Sequence, residues 1–283
     1  MIANDKLVAL ETAPRELSYD YKLSLLYALG TGFGQDPMNE AELPFVFEKG
    51  QRASPSMASV IGLDASLFIT ADLNRVMVVH GEQRLRLHRP LPVAATVIAT
   101  TRVHAAHDKG KEKGLVLVTE TNVSDKADGK PYFSSYSATF ARGDGGSGVA
   151  FGPVEPTHKL PERAPDHVVE RKTQPNQALF YRLAGDFNPL HAEPDFAAAA
   201  GFPRPILHGL CTYGFSCRAV LETMCDYDPA RLASFDVRFS APVYPGETIR
   251  TEIWRDGDTV SFRSMVTERN IVVINNGKAL LRA

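Results

Sequence analysis

The sequence carries itself twice. "RLRLHRPLPVAATV" at 84–97 reads against "DVRFSAPVYPGETI" at 236–249, with Arg86 meeting Arg238, Pro90 meeting Pro242, Thr96 meeting Thr248 and Val97 meeting Ile249 at a constant offset of 152. The second prolines slip by one, Pro92 against Pro245. Upstream, "LLYALGTGFGQDP" at 25–37 resembles "LFYRLAGDFNPLH" at 179–191, Tyr27 against Tyr181 and Leu29 against Leu183. A chain of 283 residues has room for two domains. Two copies of one unit, 1–150 and 151–283, are therefore expected. Between them, 142–165 ("RGDGGSGVAFGPVEPTHKLPERAP") loses apolar periodicity to Gly and Pro, as a flexible linker does. Its "GDGGSG" lacks the strand-to-helix context of a phosphate loop.

Each copy reads as α+β. In the second, "DHVVERKT" (166–173) alternates like a strand, and "NQALFYRLAG" suits a short helix ended by Gly185. Leu210, Tyr213, Gly214, Cys217, Val220, Leu221 and Met224 follow helical spacing on one buried stripe. The remainder is strand, with Asp256-Gly257 and Asn276-Gly277 as hairpin turns. The first copy ends alike, with strands over 93–103, 115–123 and 131–142. Residues 51–78 show no counterpart of the long helix. Two sheets joined edge to edge would remove exposed edges.

The bulk numbers exclude several classes. A net charge of -2 offers no nucleic acid or anionic membrane a partner. No apolar stretch reaches the length of a membrane helix, and "MIANDKLVAL" is no signal peptide. Cys211, Cys217 and Cys225 form no framework and suit reduced thiols in a cytoplasm. The eight histidines show no metal spacing, so no zinc site is expected. No G-x-S-x-G elbow supports a serine hydrolase.

The chemistry concentrates in "GDFNPLHAEPDFAAAAGFPRPILHGL", 185–210. Pro189 keeps Asn188 out of the helical region. The chain must turn back, bringing Asp186, Asn188 and His191 together. A carboxylate and an imidazole, with ordinary pKa values of about 3.9 and 6.5, can hold a water and move its protons. Asp and Asn are also ordinary turn residues, and His191 could simply enter a helix. Gly209 falls at the start of the long helix, where N–H groups lack intrahelical partners and a ligand oxygen can come close. It could equally serve close helix–sheet packing. His80-Gly81 in "VVHGEQ" and the lysines of "HDKGKEKG" are weaker candidates, readable as a strand end and a solvated hairpin tip.

The stretch "YRLAGDFNPLHAEPDFAAAAGFPRPILHGLCTYGF" resembles the signature of the MaoC-like (R)-specific enoyl-CoA hydratases, the hydratase 2 type. "YALGTGFGQDP", "HGEQRLRLHRPLP", "DKGKEKG" and "RFSAPVYPGETIRTEIW" extend the resemblance over nearly the whole chain. It implies a double hot-dog fold, in which long helices are wrapped by curved antiparallel sheets, and a homodimer. It implies reversible hydration of trans-2-enoyl-CoA to (R)-3-hydroxyacyl-CoA, with coenzyme A arriving on the substrate and no separate cofactor. Asp186 and His191 would hold the water, Asn188 would support them, and the Gly209 N–H would receive the thioester oxygen. His80, Gly81, Lys109 and Phe239 would line the acyl-CoA site, Lys109 facing a phosphate and Phe239 forming an apolar wall. Arg204 is a further cationic candidate. The matching stretch of the first copy, "GTGFGQDP", has no His before His80, so that copy has lost the dyad. It is expected to give acyl-chain room, which favours medium or long chains. The rival readings are another hot-dog thioester enzyme, a dehydratase or thioesterase, and a catalytically silent acyl-CoA binding protein.

Overall fold

The two copies share one sheet. The computed structural model describes residues 2–74 and 77–282. The first half contains β1 (Arg15–Tyr19), β2 (Val78–Leu87), β3 (Ala95–Asp108), β4 (Leu115–Asp125), β5 (Pro131–Ala141) and the short β6 (Ala150–Phe151). The second contains β7 (His167–Lys172), β8 (Leu232–Phe239), β9 (Thr248–Asp256), β10 (Thr259–Val266) and β11 (Ile271–Leu281). Their order is β1-β3-β4-β5-β2-β8-β11-β10-β9-β7, with β6 paired to β3 outside this path. Read from either end, the order repeats: β1 corresponds to β7, β3 to β9 and β2 to β8.

The seam is antiparallel pairing of β2 with β8, in which Arg84 faces Asp236, Glu82 faces Arg238 and Arg86 faces Ser234. Arg84 and Asp236 are equivalent positions at the repeat offset. The pseudo-twofold axis therefore passes between them, as in an isologous contact. Arg86 grips Asp236 with both guanidinium nitrogens, the second at 2.8 Å. Away from the sheet, α2 (Tyr21–Gly30) packs on α5 (Gln177–Tyr181), and the equivalent rings of Tyr27 and Tyr181 meet at 5.8 Å. The Gln177 side-chain amide donates to the Gly30 carbonyl at 2.8 Å.

The concave faces differ. In the second copy α7 (Gly209–Met224) fills the sheet, with Leu210, Tyr213, Cys217, Val220, Leu221 and Met224 buried as the helical spacing requires. Tyr213 donates to the Phe235 carbonyl, and Ser216 meets Ser264 at 2.8 Å. Gly214 allows close approach to the first copy: a Cβ there would lie 2.3 Å from Thr31 Cγ2. In the first copy, 51–74 holds only a 3-10 turn (Pro55–Ser59) and a short helix (Ser66–Thr70). A long helix is absent among the described residues there.

Two local expectations change. Asn276-Gly277 makes no hairpin turn; it lies inside β11 at a bulge, where the register against β8 and β10 shifts. Asn276 takes φ 55°, and a Cβ on Gly277 would meet the Phe262 ring at 2.5 Å. The pair therefore serves ring packing within a strand. The connection 142–165 is docked rather than free: His158 bonds Ser261 at 2.8 Å, Asn276 donates to the His158 carbonyl, and Glu155 pairs with Arg84 at 3.4 Å. Its Gly146 and Gly148, with Gly110 of the β3–β4 hairpin, wrap a carboxylate of the chain itself, Asp108, which accepts from all three N–H groups. Those donors hold Asp108 below the usual carboxylate range.

One ion pair crosses between the copies in full burial. Glu42 accepts from Arg218 of α7 at 2.6 and 2.9 Å, and also from the Gly34 N–H and the Tyr227 hydroxyl. Removing one partner strands the other's charge in a dry interior. Glu42→Ala is expected to lower unfolding stability by about 3–5 kcal/mol, read from urea denaturation. A loss below about 1 kcal/mol would show that Arg218 finds another acceptor or reaches water.

Candidate active site

Glycine and proline build the turn. The helical run after α5 ends at Gly185, which takes φ 128°. Pro189 forces Asn188 into an extended conformation, φ -55° and ψ 123°, and begins a 3-10 turn over Pro189–His191. The Asn188 side-chain carbonyl accepts from the Leu190 N–H at 3.0 Å, and the Asp186 carboxylate accepts from the Asn188 N–H at 3.3 Å. Asn188 thus supports the turn as its cap. A short helix, Pro194–Ala199, and a loop then carry the chain to α7.

His191 is buried, and its Nδ1 lies 2.9 Å from the Ile206 carbonyl oxygen. A carbonyl only accepts, so Nδ1 carries the proton and Nε2 offers a lone pair. His208 sits just before α7 and donates from Nε2 to the Asp186 carbonyl oxygen at 3.1 Å. Its ring stacks on His191, with centroids 3.7 Å apart and planes at 29°, and its other side meets Tyr181 at 4.9 Å. A carboxylate oxygen of Asp186 and ring nitrogens of His191 and His208 lie within 4.8 Å of one another. This His2Asp set has donor types a metal can use. Yet one nitrogen of each ring already donates to a carbonyl, and stacked rings direct their lone pairs side by side rather than toward one centre.

Burial governs the protonation of these rings. It pushes His191 below its ordinary range, against the opposing pull of Ile206 and Asp186. It pushes His208 down to about 2, with the neighbouring His191 adding to the effect. Both imidazoles are therefore neutral at neutral pH.

A cavity of about 230 Å³ opens from this corner into the first copy. Asp186, Asn188 and Leu210 border it from the second copy, and Ala58, Ile61, Phe68, Val78, His80 and Gln83 from the first. His80 holds its ring 4.8 Å from Phe239, and its Nε2 lies 3.1 Å from the Glu82 carbonyl oxygen and 3.0 Å from the Ser137 hydroxyl. Burial pushes its imidazole down to about 4. Gly209 is the first residue of α7, and a Cβ there would stand 3.3 Å from the Phe239 ring. Phe239 thus walls the corner between His80 and the helix start.

The other expected residues are placed differently. Gly81 is a packing glycine: a Cβ would overlap the Phe140 ring at 2.2 Å, and it does not border the cavity. Lys109 is exposed at the β3–β4 hairpin tip, and Arg204 lies over the Tyr244 ring at 4.8 Å. Neither borders the cavity, so any phosphate they meet must lie outside it. Sequence reasoning missed the part played by His208, although it stands directly before Gly209. It also missed the ring of Tyr181, which was visible only as a repeat match.

A MaoC like domain model matches residues 156–276, and an MFE-2 hydratase 2 N-terminal domain model matches 17–143. The Enoyl-CoA hydratase ChsH3 of Mycobacterium tuberculosis is 37% identical, with 99% of this chain and 98% of that protein covered. The peroxisomal Enoyl-CoA hydratase 2 of Arabidopsis thaliana is also 37% identical, with 96% and 93% covered. The crystal structure of a MaoC-like dehydratase from Phytophthora capsici superposes with a TM-score of 0.85 at 33% identity, over 99% of this chain and 98% of that one. With both halves matched and the likeness running end to end, the chain belongs to the MaoC-like, hydratase 2 family of double hot-dog proteins.

Proposed function

We propose that the protein hydrates trans-2-enoyl-CoA to (R)-3-hydroxyacyl-CoA, reversibly, at the corner formed by Asp186, His191 and the first turn of α7. The observation that carries this is the fixed tautomer of His191. The Ile206 carbonyl holds the Nδ1 proton, which leaves Nε2 as an acceptor, and a ring nitrogen of His191 lies within 4.8 Å of a carboxylate oxygen of Asp186, which itself borders the cavity. A water donating to both would be oriented for attack. Its oxygen bonds to C3 as an O–H bond breaks toward the dyad, and the same face returns a proton to C2, giving syn addition. The negative charge that develops on the thioester oxygen is met by the Gly209 N–H at the positive end of the helix. The groups involved need no cofactor beyond the coenzyme A of the substrate. The names of the curated relatives, both enoyl-CoA hydratases, support the same reaction.

A cavity of about 230 Å³ suits a medium acyl chain, with the coenzyme A handle outside. Exposed Leu29, Leu179, Phe180, Leu183, Phe187 and Phe196 lie on or beside α2, α5 and the catalytic turn. They offer apolar surface for a homodimer. Three buried free thiols suit a reducing compartment such as the cytoplasm, and no described helix is long and apolar enough to cross a membrane.

Three measurements test this reading. Asp186→Asn and His191→Ala are each expected to lower turnover of an enoyl-CoA by about 10²–10⁴-fold, followed by loss of the enoyl-thioester absorbance, while acyl-CoA binding by calorimetry survives. Wild-type binding without turnover would favour a silent binding module. Gly209→Pro separates the oxyanion donor from the helix start. His208 has φ -57° and ψ 133°, which a following proline tolerates, and proline suits the first helical position. The change removes the N–H and adds a ring carbon toward Phe239 that alanine also adds, and it is expected to lower kcat about 10²–10³-fold. Gly209→Ala, which keeps the N–H, is expected to retain more activity; equal loss in both would assign Gly209 to packing against Phe239. Finally, His191 must be neutral to accept a proton, and its pKa lies below 6.5. Acidification is therefore expected to lower kcat/KM through a limb centred below the ordinary imidazole range, whereas an acid limb centred above 6.5 contradicts the assignment.

A further inference from the structure

The floor of the cavity has the wrong chemistry for a plain hydrocarbon tail. On the concave face of the first copy, Thr101 on β3, Thr119 and Thr121 on β4, Ser135, Ser137 and Thr139 on β5, and Gln83 on β2 all border the same space as Asp186 and Asn188. Alternation puts these residues on one face: Thr119 and Thr121 are two apart on β4, and Ser135, Ser137 and Thr139 run at two-residue steps on β5. Apolar side chains occupy the same face on either side of this belt, Leu115, Leu117 and Ala141 at one end and Val97, Ala99, Val123 and Phe133 at the other, all buried. The belt is thus a polar band across an otherwise apolar sheet, placed where no helix covers it.

Part of the band is satisfied internally. Thr101 and Thr121 share a hydrogen bond at 2.9 Å, Gln83 donates to Ser135 at 2.7 Å, and Ser137 meets His80 at 3.0 Å. Among the described residues, the Thr119 and Thr139 hydroxyls make no side-chain hydrogen bond. Register places Thr119 opposite Ser137 and Thr139 opposite Leu117, so the two threonines are diagonal neighbours on adjacent strands, one group within reach of both. An alkyl chain would strip water from those hydroxyls and return nothing, at a cost of about 1–3 kcal/mol for each buried unpaired group. An oxygen on the chain would satisfy them. The sign of that oxygen's charge follows from the lining. Its charged members are acidic, Asp64 and Asp186, and Asp64 is already paired with Arg15 at 3.2 Å. No lysine or arginine borders the cavity among the described residues. A carboxylate tail would therefore enter uncompensated, whereas a hydroxyl or ketone would not.

We propose that the preferred substrate is an enoyl-CoA whose acyl chain bears a neutral oxygen, a hydroxyl or a ketone, beyond the reacting carbons, received by Thr119 and Thr139. This rests on the hydratase reading above and names its substrate class. The reaction that supplies such a substrate must be one that oxygenates an acyl chain or cleaves a larger oxygenated skeleton.

The test compares kcat/KM for three thioesters of one length: trans-2-octenoyl-CoA, its 7-oxo derivative and the mono-CoA ester of trans-2-octenedioic acid. The 7-oxo chain is expected to exceed the plain chain by at least about tenfold, with the dioate lowest. The double substitution Thr119→Val, Thr139→Val keeps side-chain shape and strand preference while removing both hydroxyls. It is expected to bring the ratio of 7-oxo to plain close to one, and a ratio within one preparation is insensitive to the folded fraction. A plain chain hydrated as well as or better than the 7-oxo chain overturns the assignment while leaving the hydratase reading standing. So does an unchanged ratio in the variant, or a dioate that is hydrated fastest. Hydration of none of the three overturns the hydratase reading and the substrate class with it.

Discussion

The pairing of β2 with β8 is the constraint on which the site depends. Asp186 and His191 come from the second copy and most of the cavity lining from the first, and the seam joins the two sheets beside them. Five residues of each strand pair there, and equivalent positions, Arg84 and Asp236, face each other across it. Such a contact closes both sheet edges at once and leaves neither copy with an open edge at the centre. His80 on β2 and Phe239 on β8 meet at the end of the same seam, which sets the cavity wall against the start of α7. A shift of one residue in this register would reverse every side chain of β2 relative to the cavity.

Duplication then allowed the two concave faces to diverge. In the second copy α7 lies in the sheet and nearly all of its residues are buried, so that face is packing. In the first copy short turns replace the helix, and part of the sheet face borders the cavity instead. A strand face under a helix is filled mainly with apolar side chains, as Phe235, Val260 and Phe262 fill theirs, and its hydroxyls at Thr251 and Ser264 are answered by each other and by Ser216 of α7. A face that meets a ligand can carry hydroxyls, because the ligand can answer them. The polar band of the first copy is consistent with that division: it ends where Phe133 and Leu85 pass back under core, and where Leu115 and Leu117 enter the smaller apolar cluster.

Much of this was legible in the sequence because it depends on short-range patterns. The repeat offset, the strand alternation, the helical stripe of 210–224 and the Pro-broken turn with Asp186, Asn188 and His191 are all local, and the structure keeps them. What stayed hidden depends on contacts distant in the chain. Asn276-Gly277 has the composition of a turn, but the Phe262 ring across the strand decides its use as a bulge. Gly81 beside His80 looked like a ligand-facing pair, but the space above it belongs to Phe140. The hydroxyl band is spread over four strands from Gln83 to Thr139, and serine and threonine in a strand signal nothing until the sheet brings them onto one patch. The docked connection was read as free because glycine and proline erase periodicity whether or not the segment finds partners.

The stacked pair of imidazoles explains why Asp186 must stand where it does. His208 and His191 lie face to face at 3.7 Å in a buried corner, and each is pushed toward neutrality by that burial. In the hydration proposed above, a proton taken by His191 would form a cation against a neutral ring in a place with little solvent to relieve it. The Asp186 carboxylate is the counter-charge within reach, and it raises the proton affinity of His191 against the desolvation. His208 holds the main chain of Asp186 through its carbonyl and the ring of His191 through stacking, so one side chain fixes the distance between the two. Burial thus keeps His191 neutral and able to accept a proton, and Asp186 offsets part of what that proton would cost in the hydration proposed above.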